Sequence, residues 1–306
     1  MTLQQLQYIV SLDDHRHFVK AAQASFVTQP TLTMQLQKLE EDLGVLLFDR
    51  RTFPIRPTEL GSQVIAQARI VLRGAEQLSA LVHELHTGLG GTCRIGIIPT
   101  LAPYLLPLFL TDLADAHPAL QVIIDERKTS RILKSLRRGD LDLGILVTPV
   151  DPKEFEEVAL FREPFLAYLP EGHSLWERKR IKRSDLRDQA LWVLSEGHCF
   201  REQTLSLCDR PSAAGHENLL YESGSIETLK NLVRQGSGMT LVPEMSVDAD
   251  DPHVRRFVAP EPVRQVSLVV RKPFVRRKLL DAVATSIRNA LPAQRKETGE
   301  LVGLAQ

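Results

Sequence analysis

Apolar positions in the first sixty residues recur at helical spacing. Leu3, Leu6, Ile9 and Val10 predict a helix over 3–12, and residues 17–24 predict a second, short one with small residues on one face. Thr28 is a good N-cap and Pro30 suits the first turn of a third helix. Leu32, Leu36, Leu39 and Leu43 give that helix its buried side, and Gly44 ends it. Gln29, Thr31, Thr33, Gln35 and Lys38 are left facing outward. Residues 45–57 place Phe48, Phe53 and Ile55 among Arg50, Arg51 and Arg56, the pattern of a two-stranded wing. Thr58 then caps a long helix from Glu59 to about Leu85. Along it Gly61, Ala68, Ala75 and Val82 alternate with Val64, Val71, Leu78 and Leu85 in steps of seven, which fits a coiled-coil seam between two copies. A helix buried within one chain is the competing reading. Gly88, Gly90 and Gly91 mark a hinge.

Beyond the hinge the pattern changes. Short apolar runs at 94–98, 122–124, 143–147, 165–169, 191–194, 239–242 and 266–270 read as strands. Residues 103–115, 130–138 and 225–235 read as helices between them. Such alternation predicts an α/β fold with mainly parallel sheets. Residues 295–306 read as a polar tail without structure.

A short helix, a tight turn and a helix opening on Gln29, Pro30, Thr31 and Thr33 are the parts of a helix-turn-helix. The front of its second helix enters the major groove, where Gln and Thr reach base edges. Arg50 and Arg51 on the wing suit phosphates. A generic three-helix module with a solvated surface is the bland alternative. The 306 residues carry 38 basic and 38 acidic side chains, so any nucleic-acid contact must be local. No leader pattern opens the chain and no apolar run has membrane-spanning length, which leads us to expect a cytoplasmic protein. Three cysteines in this length do not make a disulfide scaffold.

Two of those cysteines, Cys199 and Cys208, lie nine positions apart, with His198 before the first and Arg201 two residues after it. Positive charge favours the reactive thiolate, so Cys199 is a candidate attacking thiol and Cys208 its partner. If 200–208 is helical, their Cα atoms are about 13 Å apart. A disulfide needs roughly 7 Å or less. Closing one would require the segment to melt or move. Inert packed cysteines, or a zinc site with His198, remain open here, although tight ligand spacing and a fourth ligand are missing. Thr100, at the end of the first effector strand, and Thr129, before a helix, can present hydroxyls beside helix-terminal N–H groups or act as plain caps. The strand at 191–194 delivers His198 and Cys199 to the same edge, where α/β folds place their clefts.

Ala21-Ala22, the run Thr28–Thr33, the run Lys38–Arg50 and Pro57-Thr58-Glu59-Leu60-Gly61 strongly resemble the N-terminal signature of LysR-type transcriptional regulators. The resemblance implies a winged helix-turn-helix DNA-binding domain at 1–58, a linker and dimerisation helix with hinge at 59–90, and an effector domain at 91–306. That effector domain would be similar to periplasmic binding proteins: two α/β lobes, about 92–163 with 267–300, and about 164–266. Gly96–Thr100, Pro103–Pro107, Glu196–Cys199, Arg201–Gln203, Cys208, Ser225–Leu229 and Gly236-Ser237-Gly238 narrow the likeness to the family's peroxide-sensing members. Phe200 departs from their common leucine.

What this narrower resemblance implies is a redox-regulated activator of oxidative-stress genes rather than an enzyme. Thr100, Thr129 and His198 would hold hydrogen peroxide. Cys199, made a thiolate by His198 or Arg201, would become a sulfenic acid, and Cys208 would resolve it as a disulfide. The refolded segment would change dimer pairing within a tetramer on promoter DNA. RNA polymerase and a thiol reductant such as glutaredoxin or thioredoxin are the further partners implied; no cofactor and no metal are. Competing readings are a LysR-type regulator of a small organic anion, a thiol peroxidase, and a metal sensor.

Overall fold

The computed structural model describes residues 1–187, 189–208, 212–213, 224–236, 238–291 and 299–302; the side chains of 83, 85–87 and 212–213 lie outside the description. Leu85 of the expected seam, Ser237, and 295–298 and 303–306 of the expected tail therefore fall outside it. The chain divides into two compact units: Met1–Gly88 with Arg137–Asp140, and Leu89–Leu136 with Leu141–Gln306.

In the first unit α1 (Leu3–His15), α2 (Phe18–Ala24) and α3 (Gln29–Leu43) enclose a core of Leu6, Ile9, Leu12, Ala22, Leu32, Leu36 and Leu39. Local chemistry sets the ends of these helices. The Thr2 and Thr28 hydroxyls accept from Gln5 N and Thr31 N. Gly44 terminates α3 in the left-handed conformation, φ 69°. Leu43 departs from expectation: as the last residue of α3 it is 37% exposed. β1 (Phe48–Asp49) and β2 (Arg56–Pro57) pair antiparallel as the wing.

α4 (Glu59–Thr87) is capped by Thr58, whose hydroxyl accepts from Gly61 N. One face of its first turns, Gly61, Ile65 and Ala68, is buried within the chain. Ile65 and Ala68 belong to the core, and Arg69 pairs with Asp13 at 3.0 Å and with Asp14. A Cβ on Gly61 would lie 1.9 Å from the Leu47 carbonyl oxygen, so only glycine permits this approach. The seven-residue seam thus splits. Gly61 and Ala68 are covered in cis, which corrects the expectation of one continuous seam, while Val71, Leu78 and Val82 stay exposed.

The second unit contains β3 (Gly91–Ile97), α5 (Ala102–Ala116), β4 (Leu120–Glu126), α6 (Thr129–Arg138), β5 (Leu143–Thr148), β6 (Phe155–Tyr168), β7 (Arg180–Ile181), β8 (Ala190–Trp192), α7 (Cys199–Leu207), β9 (Ser212–Ala213), α8 (Ile226–Arg234), β10 (Met239–Pro243), β11 (Val254–Phe257), β12 (Pro262–Arg271), α9 (Arg277–Ala290) and β13 (Glu300–Leu301). The sheet order is β4-β3-β5-β12-β6-β10-β8-β9, with β11 on β6, β7 on β11 and β13 on β12. β3 pairs parallel with β4 and β5, as β10 does with β8. The long β6 and β12 run antiparallel to each other, β12 also to β5 and β6 also to β10 and β11, so the sheet is mixed rather than mainly parallel.

β6 changes partners along its length. Phe155–Pro164 pairs with β12, and Phe165–Tyr168 pairs with β10. The hydrophobic core divides at that hand-over. Ile95, Ile97, Leu105, Phe109, Ile145, Leu268 and Ile287 belong to one cluster; Phe165, Leu191, Trp192, Leu229, Leu241 and Phe257 belong to the other. Part of the expected tail is structured: Glu300–Leu301 pair parallel with Pro262–Val263, and Val302 is buried.

Candidate functional site

Cys199 is the first residue of α7 and Cys208 its C-cap. Both thiols are reduced and buried. Cys199 packs in the first hydrophobic cluster and Cys208 in the second. Nine helical steps put their Cα atoms about 13 Å apart. One helix thus holds the two sulfurs in different cores, beyond disulfide reach.

The charge beside Cys199 comes from a residue that the local motif does not contain. Arg264 on β12 is fully buried opposite Glu163 on β6, its partner in the strand register. Its Nε donates to Glu163 Oε2 at 2.8 Å, its Nη1 to the Thr100 hydroxyl at 3.0 Å, and its Nη2 to the Thr100 carbonyl at 3.1 Å. The guanidinium carbon stands 5.2 Å from the centroid of the Phe200 ring, which stacks on Phe165 at 5.0 Å. Glu163 Oε1 accepts from Met245 N at 2.9 Å. The pair sits where β6 passes between the two cores.

Burial pushes the Cys199 thiol above its ordinary pKa; Arg264, the Thr129 hydroxyl and the Phe200 N–H oppose that rise. This corrects the expected charge carriers. Arg201 donates its Nη1 to the Leu194 carbonyl at 2.8 Å and is not among the groups that act on the thiol. His198 is held below the ordinary histidine pKa, by burial first and by Lys128 second, so it favours the neutral imidazole. Lys128 Nζ donates to the Glu196 carbonyl at 2.7 Å.

Neither threonine acts as a helix cap. Thr100 precedes α5 and is held by Arg264, whereas Thr129 opens α6. The Thr129 hydroxyl is buried beside the Cys199 sulfur yet has no hydrogen-bond partner of ordinary geometry. A buried hydroxyl left this way is costly unless a small polar guest completes it. The site therefore offers a nucleophile, a hydroxyl with spare bonding capacity and a fixed cation, enough to bind and polarise a small neutral oxidant. Among the described residues no group of three or more His, Cys, Asp and Glu side chains is arranged to hold a metal ion, and no helix is long and apolar enough to cross a membrane.

In the first unit the front of α3 presents Gln29 and Pro30 in the open and Thr31 and Thr33 half-buried, with Lys38 exposed further along. Two expected DNA residues are tied down instead. Gln35 accepts from Gln5 Nε2 at 3.2 Å. Arg50 pairs with buried Glu40 at 2.7 Å, whose other oxygen accepts from Leu47 N and Phe48 N and so braces the wing. Arg51 remains outward, its side chain 91% exposed. Phe26 (96% exposed) and Met34 (57%) add apolar surface flanking the reading turn, suited to thymine methyls.

Residues 3–62 match the family of bacterial regulatory helix-turn-helix proteins of the lysR family, and residues 86–292 match the LysR substrate binding domain. The chain belongs to the LysR family. It is 36% identical over 294 residues to a hydrogen peroxide-inducible genes activator of Dickeya chrysanthemi, covering 94% of this chain and 95% of that one. Identity is also 36% to the DNA-binding transcriptional dual regulator OxyR of Escherichia coli, with 94% and 95% covered. Among solved structures, a full-length OxyR of Pseudomonas aeruginosa with a cysteine-to-aspartate substitution aligns with TM-score 0.78 at 35% identity, covering 94% of this chain and 98% of that one. A cysteine-to-serine OxyR mutant of Corynebacterium glutamicum, hydrogen peroxide bound, aligns with TM-score 0.63 at 29% identity, covering 94% and 92%.

Proposed function

We propose that this LysR-family chain is a hydrogen-peroxide-responsive transcription regulator acting on promoter DNA in the cytoplasm, with Cys199 as sensor and Cys208 as resolving thiol. The observation that carries the reading is the placement of Cys199 beside both Arg264 and the Thr129 hydroxyl, which has no other hydrogen-bond partner, with Cys208 at the far end of the same helix in the other core.

Peroxide enters beside Thr129, whose hydroxyl orients it together with the Phe200 N–H. The Cys199 sulfur loses its proton, and the resulting anion is held by Arg264. The thiolate attacks one peroxide oxygen; the O–O bond breaks and the departing hydroxide takes up a proton as water. Cys199 is now a sulfenic acid. The Cys208 thiolate attacks that sulfur, the S–O bond breaks, and a second water leaves. One peroxide and two thiols become one disulfide and two waters. Because α7 separates the thiols, the second step requires that helix to unwind. Unwinding draws the Cys208 end out of the second core, and the change is read through dimers, assembled as a tetramer, by the α3 helices on DNA. RNA polymerase and a reducing thiol protein such as glutaredoxin or thioredoxin complete the cycle. The chemistry is stoichiometric signalling rather than turnover.

The test is thiol counting by mass spectrometry after one equivalent of peroxide, with operator footprinting before and after. A Cys199–Cys208 disulfide with Cys93 still a thiol, and a changed footprint that Cys199→Ser abolishes, is the expected result. Both thiols intact at doses that oxidise no other cysteine would sink the proposal in favour of a regulator answering an organic anion.

A further inference from the structure

The underside of α7 is fastened by the end of the chain. Gln203 lies in the second turn of α7, between the two thiols, and is fully buried. Its Nε2 donates to the Val302 carbonyl at 3.0 Å, while its Oε1 has no partner. Val302 is 8% exposed and packs in the second hydrophobic cluster with Phe200, Leu207 and Cys208. It is carried there by β13, where Glu300 N donates to Glu261 O at 2.8 Å and Val302 N donates to Val263 O at 2.9 Å. Arg183 adds an exposed ion pair to Glu300 at 3.0 Å.

The approach of β13 depends on one residue type. Gly299 has φ 143°, outside the range of L side chains. A Cβ there would lie 2.3 Å from Val263 Cγ1 and 2.9 Å from the Glu261 carbonyl oxygen. Val263 precedes Arg264, so the strand that carries the counter-charge of Cys199 also carries the terminal strand that holds Gln203.

We propose that β13 is a latch on α7: it keeps the helix wound while the thiols are reduced, and its release gates disulfide closure. The gating half of this statement rests on the thiol chemistry proposed above; the fastening half does not. An unwinding α7 must withdraw Gln203 from Val302, so the latch adds to the barrier for resolution but not to that for the first oxidation, which occurs with α7 intact. It thereby lengthens the life of the sulfenic acid and sets how readily a peroxide pulse becomes a disulfide.

The experiment compares the full-length protein with Gly299→Ala, which crowds the strand off β12, and with Val302→Asp, which puts a charge in its buried socket. Hydrogen–deuterium exchange of the reduced proteins is read first. Amides of α7 are expected to exchange about three- to tenfold faster in both variants, the range that one buried hydrogen bond commands, with α9 unchanged. Exchange of α7 at the parent's rate in both variants would overturn the latch whatever the thiols do. Closure kinetics are read second. The Cys199–Cys208 disulfide is expected to form faster by a similar factor, while sulfenic acid formation, followed in a Cys208→Ser background, keeps the parent's rate. A loosened α7 with an unchanged closure rate would overturn the gating role. A parent that forms no disulfide would refute the thiol switch itself, and the exchange result would still decide the fastening.

Discussion

Replacing Arg264 by methionine separates the two tasks assigned to it. The guanidinium is fully buried against a fully buried Glu163 and makes two bonds to Thr100. Removing one partner of such a pair leaves an uncompensated charge in the interior, which costs ~3–5 kcal/mol. Arg264→Met should lose that much stability, measured by guanidinium chloride unfolding of the reduced protein with Trp176 and Trp192 as reporters. The double variant Glu163→Gln, Arg264→Met removes both charges of the pair and keeps an amide oxygen for Met245 N. It should recover to within about 1–2 kcal/mol of the parent, because replacing a whole buried pair is close to neutral. Reactivity should not recover. Without the cation, only the Thr129 hydroxyl and the Phe200 N–H are left to oppose the effect of burial on the Cys199 thiol. Oxidation of Cys199 by peroxide, followed in a Cys208→Ser background, should stay at least about tenfold slow, which needs only ~1.4 kcal/mol of lost stabilisation at the sulfur. A double variant that regained both stability and the parent's oxidation rate would refute the argument and leave Arg264 a structural residue.

Thr129→Val removes a buried hydroxyl that has no conventional partner, so stability should change by less than ~0.5 kcal/mol or rise, while oxidation of Cys199 slows about tenfold; equal rates in a peroxide titration would exclude Thr129 from the site. The Cys199 pKa is raised in the folded protein, so the folded state holds its proton to higher pH than the unfolded chain does. Stability should therefore fall as pH climbs above about 8.5, the ordinary thiol value, and Cys199→Ser should flatten that limb of the curve. His198 and His173 are both lowered, each chiefly by burial, so stability should also fall as pH drops through about 6.5, and His198→Gln should reduce this limb while leaving the part due to His173, as read in the same unfolding series. On DNA, Arg51→Ala should weaken operator and non-operator binding alike and reduce the slope of log affinity against log salt by about 1. Arg50→Ala should instead destabilise the wing through Glu40, with a loss of protection at Leu47 and Phe48 in hydrogen exchange.

The first unit was legible because its decisions are local. Thr28, Pro30 and Gly44 set the ends of α3 through bonds to their own neighbours, and the leucines at helical spacing find each other across short turns. The split of the α4 seam was less so. A seven-residue repeat states which face is apolar and not which molecule covers it, and Gly61 is matched by Leu47, not by another helix. Around Cys199 the two cysteines and both threonines stood out as candidates in short motifs. Arg264 and Glu163 were not, since the two lie 101 positions apart and meet only through the register of β6 and β12. The apolar run after residue 264 advertised the strand; an arginine at its start gave no sign of being buried. Helix α9 escaped although Leu279, Leu280, Val283, Ala284 and Ile287 carry helical spacing, because arginine and lysine dominate its approach. Glu300–Val302 looked like tail because two strand residues are too few for a period to show.

The close seating of Gly61 on Leu47, with Arg69 clasped by Asp13 and Asp14, has a mechanical meaning. α4 is a lever whose root is seated on the helix-turn-helix at Gly61 and Arg69. The lever is about 44 Å long, so a tilt of about 5° swings its tip by about 4 Å, a little over one base-pair step. Exposed Val71, Leu78 and Val82 offer the bearing on which a second lever can run. If two copies meet on that face, the angle between their α4 helices would set the distance between their helix-turn-helix heads. A single methyl at Gly61 would meet the Leu47 carbonyl oxygen and unseat the root of that lever.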